Sequence, residues 1–163
     1  MPNKTALVTG ASEGIGAEFI QILAARGYDL ILVARSEDKL NRLAAKAETE
    51  FNIKCTVIVA DLSQSKAAHN LFQRVHELSL DVNFLVNNAG LLKNGFFTEL
   101  SLEEQEKMIA VNVIALTSLT HLFANYMASK DGGYILNVAS LAGWMAIPNQ
   151  NVYAATKAYV LAF

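Results

Sequence analysis

Short apolar segments rich in β-branched residues alternate along this chain with longer segments of helical periodicity. This alternation limits the possible folds more than any other feature of the sequence. The apolar segments carry few polar residues, which is typical of strands that are covered on both faces of a sheet. Strands that alternate with helices form parallel sheets through crossover connections. We therefore predict an α/β fold with a doubly wound parallel sheet in the strand order 3-2-1-4-5.

The predicted elements follow from these two periodicities. The predicted strands are Thr5–Thr9, Asp29–Ala34, Lys54–Ala60, Val82–Asn87 and Tyr134–Val138. The predicted helices are Glu13–Arg26, Glu37–Phe51, Gln64–Leu78, Leu102–Ser129 and Asn151–Phe163. Ser101 and Glu104 have the spacing of a capping box at the start of the longest helix.

Composition narrows the class of protein. The 163 residues are 53% hydrophobic and 17% charged, which predicts a single globular domain over 1–163. A net charge of −2 gives no reason to expect nucleic acid or an anionic membrane as a partner, and no apolar run approaches the ~20 residues of a membrane span. The single cysteine, Cys55, suits a reducing, cytoplasmic location. The histidines lack partners at metal-ligand spacing, so we expect no metal site.

A glycine-rich turn, Thr-Gly-Ala-Ser-Glu-Gly-Ile-Gly at positions 9–16, joins the first strand to the first helix. In that context backbone amides and a helix N-terminus can hold a pyrophosphate. Gly10 would permit the tight turn, Gly14 the approach of the phosphates, and Gly16 close packing of helix on strand. The alternative is a structural turn that binds no ligand.

Tyr153 and Lys157 stand four residues apart in the last predicted helix, so they share one face of it. A free tyrosine has a pKa near ~10, and a phenol becomes a useful acid or base at neutral pH when a cation lies beside it. The pair therefore suits proton transfer. Taken alone, the same spacing fits an ordinary helix face better.

Further motifs follow the glycine turn in a fixed order. Asp61 and Leu62 come after the third strand, Asn-Asn-Ala-Gly at 87–90 ends the fourth, Asn112 lies inside the long helix, and Ser140 follows the fifth strand. With the tyrosine–lysine pair, this series resembles the short-chain dehydrogenase/reductase family in its compact form. The resemblance covers nearly the whole chain and implies an NAD(P)-binding Rossmann-type domain.

The resemblance implies an enzyme that interconverts a carbonyl and an alcohol by hydride transfer. Tyr153 would be the proton donor or acceptor, and Lys157 would assist it and bind the nicotinamide ribose. Ser140 would hydrogen-bond the substrate oxygen, and Asn112 would hold a water that links Lys157 to solvent. The alternatives are a polar strand end for Ser140 and, for Asn112, a helix-interior amide that bonds a neighbouring loop.

The resemblance also implies a set of cofactor contacts. They are Gly10, Ser12, Glu13, Gly14, Ile15, Gly16, Arg35, Asp61, Leu62, Asn88, Ala89, Gly90, Tyr153 and Lys157. Arg35 follows the second strand where a cofactor with a free 2′-hydroxyl usually meets an acid, and its guanidinium can pair with a 2′-phosphate. NADP is therefore expected over NAD, although Glu13, Glu37 and Asp38 weigh against it.

Family members continue for two more strands and a substrate lid beyond the position of Phe163, so the resemblance implies a C-terminally incomplete domain. Three hypotheses remain open. The first is an NADP-dependent oxidoreductase of a small-molecule carbonyl or alcohol, a homo-oligomer in its full-length form and weakly active or inactive as given. The second is an inactive nucleotide-binding remnant, and the third a fragment that needs a partner chain. Trp144 and Met145 fit either a substrate mouth or loop packing on the sheet.

Overall fold

The computed structural model describes residues 4–163. Its centre is a five-stranded sheet in the order β3-β2-β1-β4-β5, in which every neighbouring pair is parallel. The strands are β1 (Thr5–Thr9), β2 (Asp29–Ala34), β3 (Cys55–Val59), β4 (Val82–Asn87) and β5 (Tyr134–Asn137). The predicted fold class, strand order and strand direction are confirmed.

Helices cover both faces of the sheet. They are α1 (Gly14–Ala25), α2 (Glu37–Phe51), α3 (Ala67–Glu77), α4 (Leu102–Ile109), α5 (Leu116–Ala128) and α6 (Asn151–Ala162). A π-helical segment, Ala110–Ala115, joins α4 to α5, and a short 3₁₀ helix, Leu141–Gly143, precedes α6.

Two hydrophobic cores flank the central strand because successive residues of a strand point to opposite faces. Ala6 and Val8 of β1 belong to the core that includes Ile20 of α1. Leu7, between them, belongs to the core that includes Phe123 of α5. A strand with apolar side chains on both faces therefore needs helices on both sides of the sheet, and this requirement produces the layered arrangement.

The strand order reverses at β1. Val8 pairs with Leu32 of β2 on one side and with Val86 of β4 on the other. The connections that leave β1 and β4 diverge at this point, so a crevice opens beyond the carboxyl ends of these strands. The candidate site lies in this crevice.

The long helix is not the continuous α-helix that the sequence predicts. Residues Ala110–Ala115 are π-helical, and Asn112 lies in this segment with its side chain fully buried. Helix α3 also begins later than predicted, at Ala67. Gln64 instead forms a turn in which its N–H donates to the carbonyl of Asp61, and Lys66 adopts a left-handed conformation with φ 62°.

The helical stretch Leu102–Ala128 has a mean hydropathy of 1.5 over its most apolar part and is long and apolar enough to cross a membrane. The expectation that no segment approaches a membrane span is therefore wrong by length and composition. In the fold this stretch lies against the sheet, where Leu119, Phe123 and Met127 join a hydrophobic core.

Strands β3 and β5 are the two edges of the sheet. Tyr134 of β5 is 66% exposed and Leu136 is 37% exposed. Within residues 4–163, β5 pairs with β4 and with no other strand, so the predicted unpaired apolar edge is present in this part of the chain.

Candidate active site

The glycine turn packs closely against the segment that follows β4. At two positions of the turn there is no room for a side chain. A Cβ on Gly10, whose φ is +64°, would stand 2.8 Å from the Cα of Ala89. A Cβ on Gly16 would collide with the carbonyl oxygen of Gly10. These two glycines therefore allow helix α1 to start directly over the end of β1.

Hydrogen bonds fix this turn to the end of β4. The amide Nδ2 of Asn88 donates to the carbonyls of Thr9, at 3.0 Å, and Gly10, at 3.2 Å. The backbone N–H groups of Asn88 and Ala89 both donate to the hydroxyl of Thr9. Thr9, which is not among the predicted contacts, is thus central to the turn. The predicted cofactor residue Asn88 holds the turn together with its side chain.

A cavity of about 710 Å³ opens above this turn. It is lined by nine of the predicted cofactor residues: Gly10, Ser12, Glu13, Arg35, Asp61, Leu62, Asn88, Ala89 and Gly90. Leu91, Val111, Lys39 and Lys107 line it as well and were not predicted. Gly14, Ile15, Gly16, Tyr153 and Lys157 do not line this cavity. Gly16 is buried beneath the turn, and Ile15 is 61% exposed at the start of α1.

Charged side chains gather where β2 meets the cavity. Lys39 donates to a carboxylate oxygen of Glu13 at 2.7 Å. This hydrogen bond and the charge of Lys39, with a smaller contribution from Arg35, lower the pKa of Glu13. For Asp61, burial raises the pKa, but hydrogen bonds from Gln64 and Ser63 and the charge of Arg35 leave it below its usual value. Both acids are therefore ionised at neutral pH.

At the other end of the crevice, the π-helical segment turns Asn112 towards the loop after β4. Its carbonyl oxygen accepts from the N–H of Leu91 at 2.8 Å, and its amide donates to the carbonyl of Leu91 at 3.0 Å. The same amide donates to the hydroxyl of Thr156 at 3.0 Å. The side chain thus bonds a neighbouring loop, one of the two alternatives left open by the sequence, and the predicted bound water stays a prediction.

Thr156 is a second residue that sequence reasoning missed. It is buried, and its hydroxyl donates to the carbonyl of Tyr153 at 2.7 Å while it accepts from Asn112. Threonine at this place in a helix is unremarkable in sequence, so no signal pointed to it. In the fold it ties the helix of the tyrosine–lysine pair to Asn112.

Lys157 is buried, with 4% of its surface exposed. Its ammonium donates to the carbonyl of Val138 at 2.7 Å and lies 6.0 Å from the ring centre of Tyr153. Burial lowers the pKa of Lys157 because the charged form loses solvation. Among residues 4–163, no side chain or backbone group holds the hydroxyl of Tyr153.

Gly90 marks the place where the cavity meets the catalytic candidates. It lines the cavity, and a Cβ there would lie 3.6 Å from the ammonium of Lys157 and 3.7 Å from the amide oxygen of Asn112. The fold thus brings nine predicted cofactor residues into one cavity, and two predicted catalytic residues adjoin that cavity at Gly90.

Ser140 does not end a strand. It precedes the short 3₁₀ helix and its hydroxyl oxygen accepts from the N–H of Ala142 at 3.2 Å. Gly143 packs so closely on α6 that a Cβ there would stand 2.7 Å from the backbone of Lys157. The segment that carries Ser140 is therefore fixed against the helix that carries the tyrosine–lysine pair.

Apolar side chains follow Ser140 without being covered. Leu141 is 78% exposed, Trp144 79% and Met145 61%. Of the two alternatives for Trp144 and Met145, packing on the sheet is therefore not observed. Within residues 4–163, no group of three His, Cys, Asp or Glu side chains could hold a metal ion.

Comparison with known proteins connects this geometry to a family. A profile of the family described as short chain dehydrogenase matches residues 4–163. A very-long-chain 3-oxoacyl-CoA reductase of Pyrenophora tritici-repentis is 38% identical over 160 residues, which cover 95% of this chain and 47% of that protein. A 7beta-hydroxysteroid dehydrogenase of Collinsella aerofaciens is 34% identical, covering 95% of this chain and 58% of that protein. The chain thus spans about half the length of these relatives.

A solved structure agrees with the sequence relatives. A short-chain dehydrogenase from Sphingobium yanoikuyae, in complex with NADPH, superposes with a TM-score of 0.91 at 36% identity. The match covers 98% of this chain and 62% of that one. The fold described above is therefore the fold of a nicotinamide-binding relative over nearly the whole of this chain.

Proposed function

The chain belongs to the short-chain dehydrogenase family, and we propose that it interconverts a carbonyl and an alcohol with NADP as the cofactor. In this proposal Tyr153 is the proton donor or acceptor. Ser140, Asn112 and Lys157 complete the catalytic set. The relatives with assigned reactions are reductases and dehydrogenases, which supports this class of chemistry.

The residues of the crevice suit a dinucleotide. Gly10 and Gly16 bring the start of α1 over the end of β1, and the space around Gly14 is open. Free amides at a helix N-terminus favour a phosphate group. In the proposal the pyrophosphate lies over this turn, the adenine lies near Asp61 and Leu62, and the nicotinamide end reaches Gly90.

The single observation that carries the proposal is the meeting of cavity and catalytic groups at Gly90. Its Cβ position lies 3.6 Å from Lys157 Nζ and 3.7 Å from Asn112 Oδ1. A cofactor that extends along the cavity lining to Gly90 would place its far end beside these groups. A glycine turn without a ligand role would not need this continuity.

The bound cofactor would supply the hydride. Reduction of a carbonyl then leaves an alkoxide that must receive a proton. Since no group of residues 4–163 holds the hydroxyl of Tyr153, that hydroxyl can donate the proton. The ammonium of Lys157, 6.0 Å from that ring, would stabilise a phenolate by about 3 kcal/mol at an effective dielectric near 20. Ser140 would donate a hydrogen bond to the substrate oxygen.

The NADP preference rests on Arg35. It lies at the end of β2, lines the cavity, and carries the guanidinium fork that fits a phosphate. The NADPH complex of the Sphingobium yanoikuyae relative supports the same choice. A small-molecule substrate and a cytoplasmic location are part of the proposal and remain predictions.

A change of Tyr153→Phe tests the proposed chemistry. Ketone-dependent oxidation of NADPH should fall by about 10²- to 10⁴-fold, whereas NADPH affinity measured by calorimetry should change less than about twofold. The phenol is needed for the proton and contributes little to cofactor binding. Unchanged turnover in this variant would contradict the role of Tyr153.

A second candidate function is suggested by the exposed edge of β5. Over the described part of the chain, residues 4–163, this strand pairs with β4 alone, and Tyr134 on it is 66% exposed. Such an edge suits a nucleotide-binding module that becomes active only with a partner chain. NADPH binding without ketone reduction by the monomer, with activity restored in a larger assembly, would favour this candidate.

A further inference from the structure

An ion pair joins the glycine turn to helix α2, and the proposed function gives this ion pair no role. Glu13 immediately precedes α1, yet its carboxylate does not cap that helix. It pairs instead with Lys39 at 2.7 Å, across 26 positions of sequence. The pair thus joins the two elements that border the proposed site of the cofactor's 2′-phosphate.

Both members of the pair line the cavity together with Arg35 and Ser36. The acids that follow in the first turn of α2, Glu37 and Asp38, do not line it. The only carboxylate of the glycine turn therefore lies close to the place where a phosphate would arrive. An unpaired carboxylate there would repel that phosphate.

The pair can open easily. The side chain of Lys39 is 47% exposed and that of Glu13 is 73% exposed. Exposed ion pairs of this kind are weak because water and salt screen both charges. A phosphate dianion offers Lys39 a more strongly charged partner than a carboxylate does.

We propose that Lys39 is a specificity-determining residue that exchanges its carboxylate partner, Glu13, for the 2′-phosphate of NADP. This inference rests on the proposed function. Without the phosphate, Lys39 neutralises Glu13, and with the phosphate, Lys39 and Arg35 hold it from two sides. NADH, which has a 2′-hydroxyl, leaves the Glu13–Lys39 pair closed. Once Lys39 has left it, the carboxylate of Glu13 repels the phosphate and weakens NADPH binding.

A double-mutant cycle separates contact with the phosphate from mere neutralisation of Glu13. The affinities of NADPH and NADH are measured by calorimetry for the unchanged chain, Lys39→Gln, Glu13→Gln and the double variant. If Lys39 contacts the phosphate, Lys39→Gln should weaken NADPH binding by about fivefold even when Glu13 is already glutamine. NADH affinity should stay within about twofold.

In the same cycle, the substitution of Glu13 is expected to change NADPH affinity in the opposite direction. Glu13→Gln should strengthen NADPH binding, because Lys39 no longer has a competing partner. Lys46→Gln is the matched control, since Lys46 is exposed on the same helix, two turns further on, and does not line the cavity. It should leave the ratio of NADPH to NADH affinity unchanged.

The outcomes distinguish the inference from the proposed function. If Lys39→Gln has no effect in the Glu13→Gln background while Arg35→Asp still weakens NADPH binding, this inference is wrong and the proposed function stands. An equal effect of Lys39→Gln and Lys46→Gln also overturns it, because it would show general charge attraction. If neither nucleotide binds the unchanged chain, both the proposed function and this inference fail.

Discussion

The two ends of the crevice are built in different ways. At the glycine turn, backbone lies against backbone, and an added Cβ on Gly10 would stand 2.8 Å from Ala89. At the catalytic end, polar side chains bond backbone groups, as Asn112 bonds Leu91 and Lys157 bonds Val138. The cofactor end is therefore shaped by glycine positions that leave no space for a side chain. The catalytic end is defined by buried polar groups that must keep their partners.

The difference teaches which substitutions each end can bear. An added methyl group at Gly10 or Gly16 displaces main chain, and a rigid, close-packed region cannot relax around it cheaply. A lost hydroxyl at Tyr153 removes chemistry and leaves the packing intact, because no protein group within residues 4–163 holds that hydroxyl.

The largest expected effect is that of Gly16→Ala. Its Cβ would collide with the carbonyl of Gly10 and approach Asn88 Nδ2 to 2.7 Å. We expect a loss of about 3 kcal/mol in the free energy of unfolding, measured in urea, together with loss of NADPH binding.

Gly14→Ala is the control for this effect. Gly14 has a positive φ, +55°, which Gly16 does not, but no atom of residues 4–163 lies within 4 Å of its Cβ position. Its cost should be only the left-handed strain of about 1 kcal/mol. Equal losses of stability in the two variants would break the comparison, since close packing would then not be what limits the turn.

The next effect is that of Asn112→Ala at the catalytic end. It removes three hydrogen bonds and leaves the N–H and carbonyl of Leu91 without their partner. We expect a loss of about 2 kcal/mol in the free energy of unfolding. Thr156→Val, which keeps the shape and removes only the hydroxyl, should cost about 1 kcal/mol. A larger loss of stability in Thr156→Val than in Asn112→Ala would contradict the view that the three hydrogen bonds of Asn112 matter more than the hydroxyl of Thr156.

The smallest expected effect concerns cofactor choice. Arg35→Asp should reverse the preference from NADPH to NADH, with at least about a tenfold change in the ratio of their affinities. The phosphate would lose its guanidinium, and the new carboxylate could accept from a free 2′-hydroxyl. The fold should be unaffected because Arg35 is exposed. If calorimetry gave an unchanged ratio of NADPH to NADH affinity, Arg35 would not determine the choice of cofactor.

Much of the fold could be predicted because it depends on local pattern. Leu30, Ile31 and Leu32 of β2 are apolar in succession, and that alone indicates a strand covered on both faces. The glycine turn could be predicted for the same reason, since its spacing lies within one short segment. Element ends were less predictable, as at α3, because the turn at Gln64 depends on a bond to Asp61.

The rest depended on contacts between distant segments. The sequence Ala-Val-Asn-Val-Ile-Ala fits an ordinary α-helix, so nothing in it indicated the π-helical segment. Asn112 gains its partners, Leu91 and Thr156, only when three elements meet. The pair of Glu13 and Lys39 likewise requires the glycine turn and α2 to pack together. Local propensity and hydrophobic periodicity carry no information about contacts between segments that are distant in sequence.

The most direct test of the account is transfer of deuterium to a ketone from NADPH that carries deuterium at both C4 positions of the nicotinamide, with the chain in excess over the ketone. Excess protein makes even weak turnover visible, and mass spectrometry of the alcohol detects the label. A panel that spans a small ketone, a steroid ketone and a 3-oxoacyl thioester covers the substrate sizes. We expect one deuterium in at least one alcohol product, formed about 10²- to 10⁴-fold more slowly with Tyr153→Phe. Tight NADPH binding without deuterium in any alcohol would contradict the account and favour a binding module.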